Sequence, residues 1–123
     1  MISRKENQIR RGELYYADLN PVCGSEQGGI RPIVIIQNDR GNLHSSTVIV
    51  AATTGQIKKL NQPTHVLIKE INNGMLMKDT IILLEQIRTI DRSRLCEYIG
   101  YLNDDEIEKM DMALAISVGL KLI

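Results

Sequence analysis

The 123-residue sequence predicts a mainly β fold: a small, strongly bent antiparallel sheet closing into a barrel, with a helix at the C-terminus. Three observations predict it. Five or six strand candidates follow one another along the chain. Short, turn-rich stretches join them, and short connections pair neighbouring strands antiparallel. Strong helical periodicity is confined to the C-terminal end.

The elements follow in order. The first nine residues are polar and are expected to fray. GELYYADL (12–19) is the first strand. RPIVIIQND (31–39) and TVIVAATTG (47–55) are β-branched runs that end in turn residues, with DRGNLHSS as a connector carrying a Gly41-Asn42 turn signal. GQIKKLNQP (55–63) is a polar loop. THVLIKE (64–70) alternates, with Val66 and Ile68 on one face, and Asn72-Asn73-Gly74 marks a tight turn. DTIILLEQIRTID (79–91) is the longest strand. DRSRLCEYI (91–99) reads as a short helix with Asp91 as its N-cap, and YIGYL as a short strand. In NDDEIEKMDMALAISVGLKL, Asn103 or Asp104 caps a helix. Asp105, Glu106 and Glu108 load its first turn with the charge its dipole favours, and Ile107, Met110, Leu114 and Val118 form one stripe. Ile33 to Ile36, Val48 to Ala52 and Ile81 to Leu84 are apolar on both faces. One face fills the barrel, and the other needs a cover that a single helix does not fully supply, which predicts a homodimer.

The chain is one domain, residues 1–123. Phe and Trp are absent, so Ile, Leu, Val and Met must make the core. Cys23 and Cys96 lack metal-binding spacing, and the N-terminus MISRKENQIR has no apolar leader segment. Both point to reduced thiols in a cytoplasmic protein. No apolar run approaches the roughly 20 residues of a membrane span. Net charge is zero, which argues against a nonspecific polyanion binder. Its distribution is uneven: eight Lys/Arg against five Asp/Glu in residues 1–60, seven against ten in residues 61–123. A basic front fits local nucleic-acid contact and fits charge scatter on a solvated surface equally well.

Three places can carry chemistry. In NPVCGSEQGGIRP (20–32), Gly24, Gly28 and Gly29 let the backbone approach a ligand, and Ser25, Glu26 and Gln27 can hydrogen-bond. Arg31 precedes Pro32, which holds it extended and stiffens a planar fork suited to phosphate. An arginine there serves equally as the cap of a sheet end through a surface ion pair. In TVIVAATT, strand alternation puts Thr53 and Thr54 on opposite faces, so one of the two hydroxyls faces a given site; a strand threonine by itself speaks first for β-propensity. In LLEQIRT (83–89), Glu85, Gln86 and Arg88 interrupt an apolar strand. A structural ion pair is the default for Glu85 or Arg88, and Gln86 can read a base edge. His44 and His65 have neither metal-ligand spacing nor a nucleophile motif around them. The four tyrosines fit stacking on bases, or core and dimer packing.

RRGELYYADLNPVCGSEQGGIRPIVIIQND, VIVAATT and TIILLEQIRTID, in this order, resemble the MazF/PemK family of toxin endoribonucleases, and most closely its Gram-positive, Bacillus-like branch. The likeness runs from about Arg11 to the C-terminal helix. It implies a small SH3-like (PemK/CcdB-like) barrel that dimerises. It also implies sequence-specific cleavage of single-stranded RNA, chiefly messenger RNA, to 2′,3′-cyclic phosphate and 5′-hydroxyl ends with no metal or other cofactor. The implied partner is a MazE-like antitoxin whose acidic C-terminal segment blocks the RNA groove. The family's catalytic Arg and Thr fall on Arg31 and Thr54; Ser25, Glu26 and Gln27 fall in its RNA-contacting loop and Gln86 on a further contact position. The chain departs from the family in its N-terminal extension, in Cys23, in NNGMLMKD and in GQIKKLNQP. The last two bear on RNA sequence preference, which loops set.

In such a reaction the substrate's 2′-oxygen attacks the adjacent phosphorus and the 5′-oxygen leaves. The protein takes a proton, gives a proton and stabilises charge on the phosphoryl oxygens. An arginine is a poor base but a good clamp. Arg31 is therefore expected as clamp and proton donor, Thr54 as the phosphate-positioning hydroxyl and Glu26 as base. Gln56, Lys58 and Lys59 in the second polar loop are expected to contact RNA, the lysines at phosphates. Two readings compete. A CcdB-like gyrase-binding toxin would carry its hallmarks in the C-terminal helix, and an SH3-like interaction module would display exposed aromatics, where this chain has 3% aromatics in all.

Overall fold

A computed structural model describes residues 8–56, 62–69 and 79–121. Six strands, β1 (Glu13–Asp18), β2 (Ile30–Ile35), β3 (Thr47–Thr54), β4 (His65–Ile68), β5 (Thr80–Asp91) and β6 (Leu95–Tyr101), form one antiparallel sheet in the order β4-β5-β3-β2-β1-β6. Two helices accompany it, α1 (Asp39–His44) and α2 (Asp104–Val118). The fold is mainly β with a C-terminal helix. The sheet is bent but not closed: among the described residues β4 and β6 remain edge strands and do not pair with each other.

Alternation divides the core in two. Leu14, Val34, Ile36, Ala51, Ile82 and Leu84 join Met110 and Ala113 of α2 in one cluster, while Tyr15, Ala17, Ile33, Ile35, Val48, Val50 and Ile90 form the other. Ile33, Val34 and Ile35 are all fully buried. A single chain therefore buries both faces of the second half of β2, while Ile30 at its start stays exposed.

α2 is the element most fully legible in the sequence. Asn103 Oδ1 accepts from Glu106 N–H at 2.8 Å and Glu106 Oε1 accepts from Asn103 N–H at 2.9 Å, a reciprocal capping box. Gly119, left-handed at φ 74°, ends it. Ile107, Met110 and Leu114 pack into the core cluster as expected, whereas Val118, in the last turn, is exposed.

Two local expectations are corrected. DRGNLHSS holds α1, capped by Asn38, whose side chain accepts from Gly41 N–H at 2.8 Å; Gly41-Asn42 lies inside the helix, and the buried Asn42 side chain is satisfied by Gln37 and Asp39. DRSRLCEYI is not a helix. Asp91 does cap, accepting from Ser93 N–H at 2.9 Å, but only a single 3-10 turn, Arg92–Arg94. β6 then begins, because the open edge of β1 offers a ladder that outweighs weak local propensity. No described helix is long and apolar enough to cross a membrane.

Candidate active site

Residues 19–29 form a closed loop between β1 and β2. At its neck Leu19 N–H donates to Gly29 O at 3.0 Å, and Gly29 N–H donates to Asn20 Oδ1 at 3.0 Å. Gly29, at φ 80°, takes a conformation that side chains disfavour. Gly28 is needed for space, since a Cβ there would lie 2.8 Å from Val22 Cγ2 and 2.9 Å from Asn20 Oδ1.

The loop is docked on the sheet. Gln86 Oε1 accepts from Gln27 N–H at 3.2 Å, and Gln86 Nε2 donates to Ser25 O at 3.4 Å. Gln27 Nε2 donates to Thr53 O at 3.1 Å. Gln27 and Gln86, expected at RNA, thus tie the loop to β3 and β5.

Beside the loop lies a cleft of about 460 Å³ whose walls include Tyr16, Gly28, Gly29, Arg31, Thr53 and Thr54. Arg31 stands opposite Ala17 in the β1–β2 ladder, and its Nε donates to Gly28 O at 2.6 Å. Among the described residues neither of its terminal nitrogens is hydrogen-bonded or ion-paired, so the half-buried fork is anchored at its base and open at its tip. Both threonines line the cleft, near the register shift between Ala51 and Ala52 in the β3–β5 ladder. Although alternation predicts one of them at the site, both are on its wall, and what separates them is the partner of each hydroxyl. Thr53 Oγ1 donates to Pro32 O at 2.5 Å, so that hydroxyl is committed. Thr54 Oγ1 accepts from Gln56 N–H at 3.2 Å, which leaves its own proton to donate. A fixed cation beside a hydroxyl donor, in a cleft with two glycine backbones, is suited to a phosphoryl oxyanion.

The structure brings Arg31 and Thr54 together and sets other expected residues apart. Glu26 does not line the cleft; its carboxylate accepts from Cys23 N–H at 2.8 Å and caps its own turn. Ser25 is exposed at the loop tip. Gln56 is exposed and adjoins the cleft through Gly55, while Lys58 and Lys59 lie outside the described residues. Glu85 pairs not with Arg88 but with His65 Nε2 at 2.9 Å and Thr64 Oγ1 at 2.9 Å. Burial pushes the Glu85 carboxyl up, but hydrogen bonds from His65, its own backbone and Thr64 outweigh burial and hold it below the ordinary 4.5. Tyr16, which the sequence offers only as one of four tyrosines fit for base stacking or packing, is on the cleft wall and 37% exposed. The signal was the Tyr15-Tyr16 pair: in a strand one of two neighbours must face away from the core. Tyr15 is the buried one, edge-to-face with Tyr98 at 5.5 Å.

Residues 10–118 match the model of the PemK-like, MazF-like toxins of type II toxin–antitoxin systems. The chain belongs to that family. A curated relative, endoribonuclease MazF of Staphylococcus saprophyticus, is 57% identical over 115 residues, covering 94% of this chain and 95% of its own. On both counts the chain is a MazF-type endoribonuclease toxin, and the gyrase-binding and interaction-module readings fall away. Solved MazF-type structures share the fold. A mycobacterial endoribonuclease in complex with its cognate antitoxin superposes with a TM-score of 0.76 at 24% identity, covering 94% of this chain and 99% of its own. MazF of Deinococcus radiodurans gives 0.74 at 23% identity, covering 91% and 97%.

Proposed function

We propose that this MazF-type toxin cleaves single-stranded RNA without a metal, by attack of the 2′-hydroxyl on the adjacent phosphodiester at the cleft of Arg31 and Thr54. The observation that carries this reading is the Arg31 fork, anchored through Nε and open at its tip beside the Thr54 hydroxyl. The two terminal N–H groups grip the non-bridging oxygens as negative charge builds on them, and Thr54 donates to a third position. The 2′-hydroxyl passes its proton to solvent water in the cleft as its oxygen bonds to phosphorus, and the 5′-oxygen leaves with a proton returned from that solvent on the Arg31 side, giving 2′,3′-cyclic phosphate and 5′-hydroxyl ends.

Among the described residues the cleft wall holds no carboxylate and no imidazole. For Glu26 to accept the 2′-proton, its turn onto Cys23 would have to open. We therefore assign the reaction to Arg31 and Thr54 and give Glu26 the task of shaping the loop. Ser25 at the loop tip, with Gln27 and Gln86 behind it, presents the surface that meets bases, and Tyr16 offers an aromatic face to an unstacked one. Gln56, Lys58 and Lys59 are proposed to extend that surface.

The physiological setting follows from the resemblance: a cytoplasmic homodimer held in check by a MazE-like antitoxin. Ile30, Leu43, Ile116 and Leu120, each more than half exposed, are apolar surface that a second copy or an antitoxin would cover. Sedimentation of the purified toxin tests the dimer. The chemistry is tested by incubating the toxin with RNA in EDTA, beside the same RNA carrying one 2′-deoxy residue at the cut site. Cleavage of the first to cyclic-phosphate ends, with the second intact, is expected. Cleavage at the deoxy position, or a requirement for Mg²⁺, overturns the mechanism.

A further inference from the structure

We infer that Arg88 is a positioning residue for the cleavage reaction: it latches the neck of the 19–29 loop and thereby sets where the Arg31 guanidinium points. The inference rests on the assignment of Arg31 as the group that meets the phosphate.

Gln86 and Arg88 are two residues apart on β5 and so share a face of the strand. Both reach the same loop. Gln86 holds its tip, and Arg88 Nη1 donates to Leu19 O at its neck, at 2.5 Å and across 69 residues of sequence. Leu19 is thereby held on both sides, its carbonyl by Arg88 and its N–H by Gly29 O. Gly28, next to Gly29, supplies the carbonyl on which Arg31 Nε rests. Arg88, Leu19, Gly29, Gly28 and Arg31 thus form one unbroken run of backbone and hydrogen bonds. Arg94 reinforces the neck, with Nη1 donating to Asp18 O at 3.1 Å and to Asn20 O at 2.5 Å. Three consecutive carbonyls are therefore held by two guanidinium groups.

The chemistry of that choice is informative. Among the described residues neither Arg88 nor Arg94 lies within ion-pair distance of a carboxylate. A half-buried guanidinium satisfied only by carbonyl dipoles gains less than one paired with a carboxylate. Its return is geometric: the rigid, planar end of the Arg88 side chain carries one directed N–H onto the Leu19 carbonyl, where the freely rotating ammonium of a lysine would hold it less firmly. Arg88 is absent from the cleft wall, so it acts through the loop and not on the RNA.

The test uses the full chain as wild type, Arg88→Met, Arg88→Lys, Arg31→Ala and the Arg31→Ala/Arg88→Met double variant. Three quantities are measured: single-turnover cleavage at saturating enzyme, binding of RNA with a 2′-deoxy cut site, and hydrogen exchange of the Leu19 and Gly29 amides. Arg88→Met is expected to slow cleavage on the order of 10- to 100-fold, the scale of an ångström-level misplacement. Binding of the deoxy RNA should stay within about threefold, since the lost interaction acts on the reacting geometry rather than on ground-state binding. Exchange at Leu19 and Gly29 should quicken. Arg88→Lys should give the same pattern with a smaller loss, which keeps the test open should the Met variant fail to fold. In the Arg31→Ala background, Arg88→Met should cost little more, because the two residues act through one group. Losses that multiply in the double variant overturn the inference. Weakened deoxy-RNA binding with an unchanged cleavage rate overturns it too, by making Arg88 a phosphate contact. If Arg88→Met cleaves at the wild-type rate while Arg31→Ala is crippled, the latch alone falls; if Arg31→Ala cleaves normally, the assignment of Arg31 falls and takes the latch with it.

Discussion

Two concavities face each other in character. The larger, about 750 Å³, runs between β4 and α2, with Val66, Met112, Ala113 and Ile116 among its walls and Lys69, Asp105, Glu106 and Lys109 on its rim. The smaller, about 460 Å³, lies beside the 19–29 loop and holds Arg31, Thr53 and Thr54. Size favours the first and chemistry the second. The groove's charged groups are of both signs, Glu106 among them tied into the α2 capping box, and its histidine, 1% exposed at the side chain, is committed to Glu85. The cleft's cation is anchored, free of any carboxylate among the described residues, and set beside a hydroxyl with a proton to give. What distinguishes a reactive site from a crevice is prepaid orientation of polar groups, and volume does not measure it.

The comparison is sharpest when one cation is removed from each concavity. Arg31→Ala should slow cleavage on the order of 10²–10³-fold, the usual loss for one donor to a developing oxyanion. Lys109→Ala, on the groove rim, should leave the rate within about twofold, as for an ordinary surface change. Equal losses would show that the groove takes part. Next come the two threonines. Thr54→Val should lower the cleavage rate by about tenfold, the effect of losing one positioned hydrogen bond to charge, with little change in denaturation midpoint. Thr53→Val strands the Pro32 carbonyl and should cost about 1–3 kcal/mol of stability, measured by urea unfolding. Exchange of those two outcomes would reverse the assignment of the hydroxyls.

Gly28→Ala probes the cleft wall. Its added carbon meets Val22 and the pinned Asn20 side chain, so the loop must shift, and cleavage should fall by about tenfold while α2 and the groove are untouched. The smallest effect belongs to the groove side. The Glu85 carboxyl lies below its ordinary value in the folded chain, so its contribution to stability is complete above the unfolded value and is lost as pH falls through the folded one. Glu85→Gln should therefore make the acid limb of a urea-midpoint series shallower without moving the pH profile of cleavage. A shifted cleavage profile would place Glu85 in the reaction.

Much of this was legible before folding. Short strand-like runs between turn residues marked β1 to β5, and a cap at Asn103 or Asp104 with an acidic first turn announced α2, because alternation and capping act over two to four residues. The Arg31-Pro32 pair and the glycines around it pointed to the cleft for the same reason: proline and glycine constrain backbone locally. The helix expected over 91–99 is the instructive miss. Asp91 does cap, as its sequence context promised, yet the chain continues as β6 because β1 presents an unpaired edge that no local pattern reveals.

The sequence by itself determined that this is a mainly β chain with a capped C-terminal helix, and that a stiffened arginine sits in a glycine-rich loop near a threonine pair. Only the tertiary structure decided that Gln27 and Gln86 clamp that loop across 59 residues, that Tyr16 walls the cleft, that Glu26 turns away from it, and that Thr54 rather than Thr53 keeps a free proton. The physical reason is range. Backbone preference is settled among near neighbours, whereas the direction of a hydrogen bond between distant residues exists only once the sheet has brought them together.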